Sequence, residues 1–410
     1  MQLATFLAKR IAFNKQKSFS RFIIRLATAA TALSVAAMII TLAFVNGFQF
    51  AVSSKIFNFW GHLRVQEYEP DKAMIAEETP WQPNDTTLQV LHLFPQVKQV
   101  QAFATKSAVI EKNKEIEGVL FKGVESNYDF NNLKSFLKQG SFPSFKDSAY
   151  SKDILISQPI ANELQIKLND TVNVYFINQQ QGKAAVRQLH VCGFFKTGID
   201  EYDKTFAIGD LRLLRQVYDW EHNEIGGYEV FLNDYTKMDT LNYQIYEMLP
   251  QAWISRTIKQ IYPNIFDWLQ IQDVNRNVIF TVMAIVAIIN LVTCLLILIL
   301  ERTKMTGILK ALGCRDLTIQ KIFLYHASMI AIRGILIGLL VGLGLCILQQ
   351  QTGFIKMDES AYYVSEAPIY IIWWQVAAVC IITLIVCFLA LIIPTLFVKS
   401  IRPVKAIQFR

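Results

Sequence analysis

The chain has 410 residues, 53% of them apolar and 18% charged, with a net charge of +7 and a mean hydropathy of +0.30. Soluble domains carry roughly 25% charge, and the shortfall sits in four uncharged runs: 29 residues from Leu26 to Ser54, 24 from Asn277 to Leu300, 22 from Gly334 to Ile355 and 32 from Ala367 to Val398. Each exceeds the ~20 apolar residues that span a bilayer, which excludes a wholly soluble enzyme. Nucleic acid does not account for the positive charge either. Gln49 to Asn275 holds 22 Lys/Arg against 28 Asp/Glu, and the remaining 18 against 5 lie beside the apolar runs, where a membrane surface explains them.

In chain order, residues 1–25 form a basic segment with Lys9, Arg10, Lys15, Lys17, Arg21 and Arg25 and no acid. Leu3, Phe6, Leu7 and Ile11 fall at helical spacing, so the segment reads as a cytoplasmic amphipathic elbow on the inner leaflet. The alternative, a signal peptide, meets an apolar run longer than such a signal uses. A first membrane helix (26–48) leads outward to a large domain (49–275), and a second (276–300) returns to a basic loop (301–321) with Arg302, Lys304, Lys310, Arg315 and Lys321. A third helix (322–348), a short outer loop (349–367), a fourth helix (368–398) and a basic cytoplasmic tail (399–410) complete the chain. Both termini are expected inside.

The outer domain mixes strand-like stretches such as Leu63–Gln66, Val119–Lys122 and Val172–Phe176 with helix-like ones at Leu211–Tyr218 and Met238–Leu249, which predicts an α+β fold. Asn178–Lys183 reads as a hairpin turn, either a solvated tip or a docking tip for a partner. Cys192 is the domain's one cysteine, so no internal disulfide is expected. The acidic pair Glu77–Glu78 reads as a solvated loop. No paired-histidine metal motif, phosphate loop or nucleophile elbow occurs, so the expectation is a non-catalytic chain without a metal or cofactor of its own.

Within the membrane, Gly334-x-x-x-Gly338-x-x-x-Gly342 lines one face of the third helix, and Ala29, Ala30, Ala32, Ser34 and Ala36 are small residues in the first. Such faces serve close packing or contact with a second protomer. Arg333, about 18 Å beyond Lys321 along a helix, faces either a structural partner such as Asn290 or a functional task. Glu301–Cys314 reads as a short amphipathic helix with Ile308, Leu309 and Leu312 on one face, closed by Gly313. It is either a tight turn between helices or an element that sits in a groove of a cytoplasmic protein.

The run Glu301-Arg302-Thr303-Lys304-Met305-Thr306-Gly307-Ile308-Leu309-Lys310-Ala311-Leu312-Gly313 resembles the motif of the FtsX-like/MacB class of ABC transporter permeases. Val45-Asn46-Gly47-Phe48, Lys55 to His62, Gly193 to Asp203 and Asp358 to Val364 resemble, more narrowly, the lipoprotein-releasing permeases of the LolC/LolE type. The resemblance spans the chain. It implies a mechanotransmission permease in a bacterial inner membrane, coupled through Glu301, Arg302, Lys304, Gly307, Ile308, Leu309, Lys310, Ala311, Leu312 and Gly313 to a cytoplasmic ATPase dimer that supplies ATP and Mg chemistry. It further implies a second permease protomer, identical or paralogous, a triacylated lipoprotein substrate and a periplasmic carrier. The hairpin at 178–187 is shorter than the hook with which LolC-type subunits dock that carrier. With the topology, the resemblance puts an acyl-chain site on Phe44, Val45, Phe48, Phe280 and Met283. Rival readings are a MacB-type efflux permease and an FtsX-type transmitter that controls a cell-wall hydrolase.

Overall fold

A computed structural model describes residues 19–69, 77–83, 85–146, 149–178 and 183–400. Residues 1–18 of the elbow segment, the hairpin tip and most of the basic tail lie outside the described residues, while residues 19–25, expected in the elbow, belong to the first long helix. Among the described residues, four helices are long and apolar enough to cross a membrane, one before and three after an α+β region, as the apolar runs predict. We label the helices α1 (Phe19–Trp60), α2 (Pro263–Glu301), α3 (Thr303–Ala311), α4 (Asp316–Thr352) and α5 (Trp373–Thr395). α3 is the short helix between α2 and α4.

These helices run past the apolar stretches because backbone chemistry, not hydropathy, ends them. α1 continues to Trp60, where Gly61 turns left-handed (φ +74°) and donates its N–H to the Phe57 carbonyl. α2 starts at Pro263, whose missing N–H costs nothing in a first turn. α4 stops at Gly353 (φ +57°), whose N–H reaches Gln349 O at 2.8 Å. The second helix therefore begins well before residue 276, and the third reaches beyond residue 348.

The chain divides into two units. Among the described residues, a helical unit holds 19–50, Leu269–Lys356 and 366–400, whereas an α+β unit holds Ala51–Trp268 and Met357–Ser365. The short connector between the third and fourth membrane helices, expected as an outer loop at 349–367, is thus split between the two.

In the helical unit, the glycine face of α4 lies on α1. A Cβ at Gly334 would meet Thr31, one at Gly338 would stand 2.5 Å from the Ala32 carbonyl oxygen, and one at Gly342 would meet Ala36 and Ile39. α2 joins the same core through Ala287, Leu291 and Leu295, with Asn290 donating to Ala27 O at 3.2 Å.

Among its described residues the α+β unit contains ten strands: β1 (Leu63–Glu67), β2 (Val97–Lys112), β3 (Glu115–Val124), β4 (Leu137–Gly140), β5 (Asp153–Ser157), β6 (Thr171–Asn178), β7 (Lys183–Phe195), β8 (Phe206–Asp210), β9 (Gly227–Leu232) and β10 (Trp253–Thr257). The pairing β2-β3-β8-β5-β7-β6 returns to β2 and closes on itself. Pairs β3·β8 and β5·β7 are parallel and the other four in this ring antiparallel. The long strand β2 makes this possible: Ala108–Glu111 pairs with β6, and Val97–Phe103 pairs with β9, which leads on to β1 and β10. Alternating buried residues such as Ile110, Phe121, Val174, Phe176 and Leu189 fill the core.

Candidate functional site

The cytoplasmic motif forms α3, but its faces differ from the predicted arrangement. Leu309 and Met305 pack inward on the core built from α2 and α4, with Thr306 and Gly307 buried, whereas Ile308 (53% exposed) and Leu312 (80%) face outward. The expected apolar face of Ile308, Leu309 and Leu312 is therefore corrected. A bare helical wheel shows which residues share a stripe; it does not show that α3 returns onto its own membrane core, which takes Leu309. Lys304 and Ala311 lie on the exposed side with Ile308 and Leu312, and Lys310 pairs with Asp316 at 2.9 Å. Gly313 turns left-handed (φ +84°) and ends the motif; Glu301 and Arg302 stand where α2 gives way to α3.

A groove of about 450 Å3 opens between α1, α2 and α5, within the ~300–1,000 Å3 usual for ligand sites. Met38, Leu42, Phe280, Ala378 and Val379 give it an apolar wall, and Arg276, Asn277 and Gln375 are polar members of its lining. Trp373 and Trp374, both exposed, begin α5, as aromatic side chains do at a membrane interface. Of the five residues assigned to an acyl chain, Phe280 lines this groove and Met283 packs on the adjoining core with it. Val45 and Phe48 are buried (4% and 2% exposed), and Phe44 stacks on Phe48 at 5.8 Å, away from the groove lining. A run of apolar letters in α1 does not reveal which of them the neighbouring helices cover.

The motif around Asn46 and Gly47 has a local reason. Asn46 donates to Gln375 Oε1 at 2.6 Å, Tyr370 donates its N–H to Ala43 O at 3.0 Å, and a Cβ at Gly47 would collide with the Pro368 carbonyl. Only glycine lets the segment leading into α5 lie this close to α1.

The α+β unit holds two buried ion pairs that composition does not announce. Lys122 Nζ lies 2.6 Å from Glu229, donates to Phe59 O at 2.8 Å and sits 4.4 Å from the Trp60 ring. Burial pulls the Lys122 ammonium below its usual pKa, against the Glu229 charge. Beside it Arg64 lies 3.8 Å from Glu78 and stacks on Trp60 and Phe103, and Glu78 accepts the Thr105 N–H. Glu78 is 7% exposed, so the expectation of a solvated acidic loop at Glu77–Glu78 is overturned for Glu78. Its partner, Arg64, lies on β1. Burial raises its carboxyl pKa, partly offset by Arg64.

Residues 26–245 match the family described as the MacB-like periplasmic core domain, and residues 277–403 match the FtsX-like permease C-terminal family. Along its whole length the chain is 22% identical to the lipoprotein-releasing system transmembrane protein LolE of Haemophilus influenzae, covering 100% of both. It is 20% identical to the protein LolC of Xylella fastidiosa and 22% identical to LolC of Neisseria meningitidis serogroup B, each over 96% of both chains. Because the first of these families takes in more than half of the chain and the second covers most of the remainder, the chain belongs to the FtsX-like permeases that carry a MacB-like periplasmic core domain.

Proposed function

We propose that this chain is the membrane subunit of an ABC-type transporter that extracts lipoproteins from the outer leaflet of a bacterial inner membrane. The observation that carries the reading is the end-to-end similarity to proteins named as lipoprotein-releasing, which includes both the α+β unit and all four membrane helices. The apolar groove supports it: an acyl chain needs a dry wall, which Met38, Leu42, Phe280 and Val379 supply.

The division of labour follows from the chemistry each part carries. A separate ATPase pair contributes ATP and Mg, and a second permease protomer completes the complex. The exposed side of α3, with Lys304, Ile308, Ala311 and Leu312, is the surface that enters the ATPase, since an apolar stripe with a basic flank suits a groove with an acidic rim. Movement of α3 reaches α2 and α4 because Met305 and Leu309 belong to their core. α1 and α2 then carry it into the α+β unit, since Ala51–Trp60 and Pro263–Trp268 are part of that unit.

Photo-crosslinking tests the substrate. With a photoreactive residue at Phe280 or Trp374, acylated lipoprotein adducts are expected in the native membrane, whereas position 48, buried inside the core, should give none. Absence of adducts at both groove positions, together with co-purification of an ATPase and an envelope adaptor or cell-wall hydrolase, would replace release with efflux or signalling.

A further inference from the structure

Three stretches that carry the resemblance, around Lys55, Lys196 and Glu359, lie far apart in the chain and have no role in the groove or in α3. In the α+β unit they meet. Met357–Ser365 is a closed knob: Met357 donates its N–H to Ser365 O at 3.0 Å, and Asp358 caps the single turn Glu359–Tyr362 by accepting the Ser360 N–H. Glu359 projects from it between two ammonium groups, hydrogen-bonded to Lys196 and 3.9 Å from Lys55. Lys55 also donates to Tyr363 O at 2.7 Å, Tyr363 donates its hydroxyl to Glu201 at 3.1 Å, and its ring meets Trp268 edge-on at 5.8 Å.

The socket is shaped for this carboxylate. Asp203 accepts the N–H groups of Thr197 (2.8 Å) and Gly198 (2.9 Å), which holds the turn after Lys196. Gly198 is left-handed (φ +76°), and a Cβ there would collide with the Glu359 carboxylate and with Lys55 Nζ. One exposed ion pair contributes only ~0–1 kcal/mol. Here one carboxylate takes two partners, the lysine adds a carbonyl, and an aromatic contact fixes the far side, so the contacts act as a set.

We propose that Met357–Ser365 is a clasp, with Glu359 gripped by Lys55 and Lys196, that makes the connector between α4 and α5 a third drive point on the α+β unit beside α1 and α2. The drive role rests on the transporter function proposed for the chain; the clasp itself does not. The test uses the full chain with its ATPase in nanodiscs, comparing wild type, Glu359→Gln, Glu359→Lys, Lys196→Glu and the swapped pair Lys196→Glu/Glu359→Lys. Amide hydrogen exchange over 357–365 should speed up about tenfold in each single variant, and the swapped pair should regain part of the protection, since Lys55 then faces a like charge. ATP consumed per lipoprotein released should rise about fivefold in Glu359→Gln with hydrolysis retained. Unchanged protection in all single variants overturns the clasp, and lost protection with unchanged coupling overturns the drive role. A wild-type complex that hydrolyses ATP and releases no lipoprotein defeats the release reading, while exchange still decides the clasp.

Discussion

His62 shows how a single ring ties pH to stability. Its Nδ1 accepts the Leu232 N–H at 3.0 Å, a bond that requires that nitrogen to be unprotonated, and Phe57 stacks on the ring at 4.7 Å. Burial, helped by Lys98, pushes the His62 pKa down to about 4 from 6.5. A folded-state value below the unfolded one means that the contribution is whole above pH 6.5 and is lost as pH falls towards 4, by up to about 3 kcal/mol. Melting of the full chain should therefore fall over that window more steeply in wild type than in His62→Gln. Glu78 and Asp203, whose pKa values burial raises, work in the opposite sense in both proteins, so the difference between the two curves isolates the ring. Equal slopes would remove His62 from the explanation. None of this was legible in the sequence, where His62 only closes the stretch from Lys55 and Lys122 is one lysine among many; the burial of a charge depends on a partner brought from another strand.

At the scale of elements, the helices that hydropathy picks out exist, and their extensions beyond the apolar runs do not show in hydropathy because Gly61, Pro263 and Gly353 set the ends. The glycine spacing in α4 was readable, but its partner was not: contact with α1 inside one chain and contact with a second protomer write the same pattern. Gly338→Leu should lower the melting temperature of the purified protein, by an overpacking cost of about 1–3 kcal/mol, because its Cβ would stand 2.5 Å from Ala32 O. Gly344→Leu is the control, as nothing lies within 4 Å of its Cβ position. A further pair separates the two sides of α3. Leu312→Arg should leave melting unchanged and weaken capture of the ATPase about tenfold or more, since the side chain is 80% exposed. Leu309→Arg places a charge against the core of α2 and α4 and should lower stability instead. If Leu312→Arg captures the ATPase normally, α3 does not dock through this side.

For the molecule as a whole, α1 and α2 have 42 and 39 residues, about 63 and 58 Å of helix, against a hydrocarbon core of ~30 Å. Roughly half of each is therefore available outside the apolar layer. The one-plus-three plan and the α+β character were legible in composition and period, since both depend on short-range pattern. The closed ring of six strands was not, because it depends on β2 pairing with β6 and β3 with β8, and neither pairing leaves a local trace. The convergence of Lys55, Lys196 and Glu359 was invisible for the same reason: Lys55 and Tyr363 stand 308 positions apart.

The split of the connector between the two units bears on how the chain is made. Residues 357–365 leave the ribosome after α4, so the α+β unit waits for its last nine residues until three membrane helices have been synthesised. During that interval Lys55 and Lys196 are both present without the carboxylate that joins them, and the socket at Gly198 is open. A soluble fragment cut at Ala51 and Trp268 freezes the unit at that unfinished stage, with two ammonium groups facing an empty seat. The α+β unit is thus closed by a piece of chain made after three membrane helices, with α5 still to come.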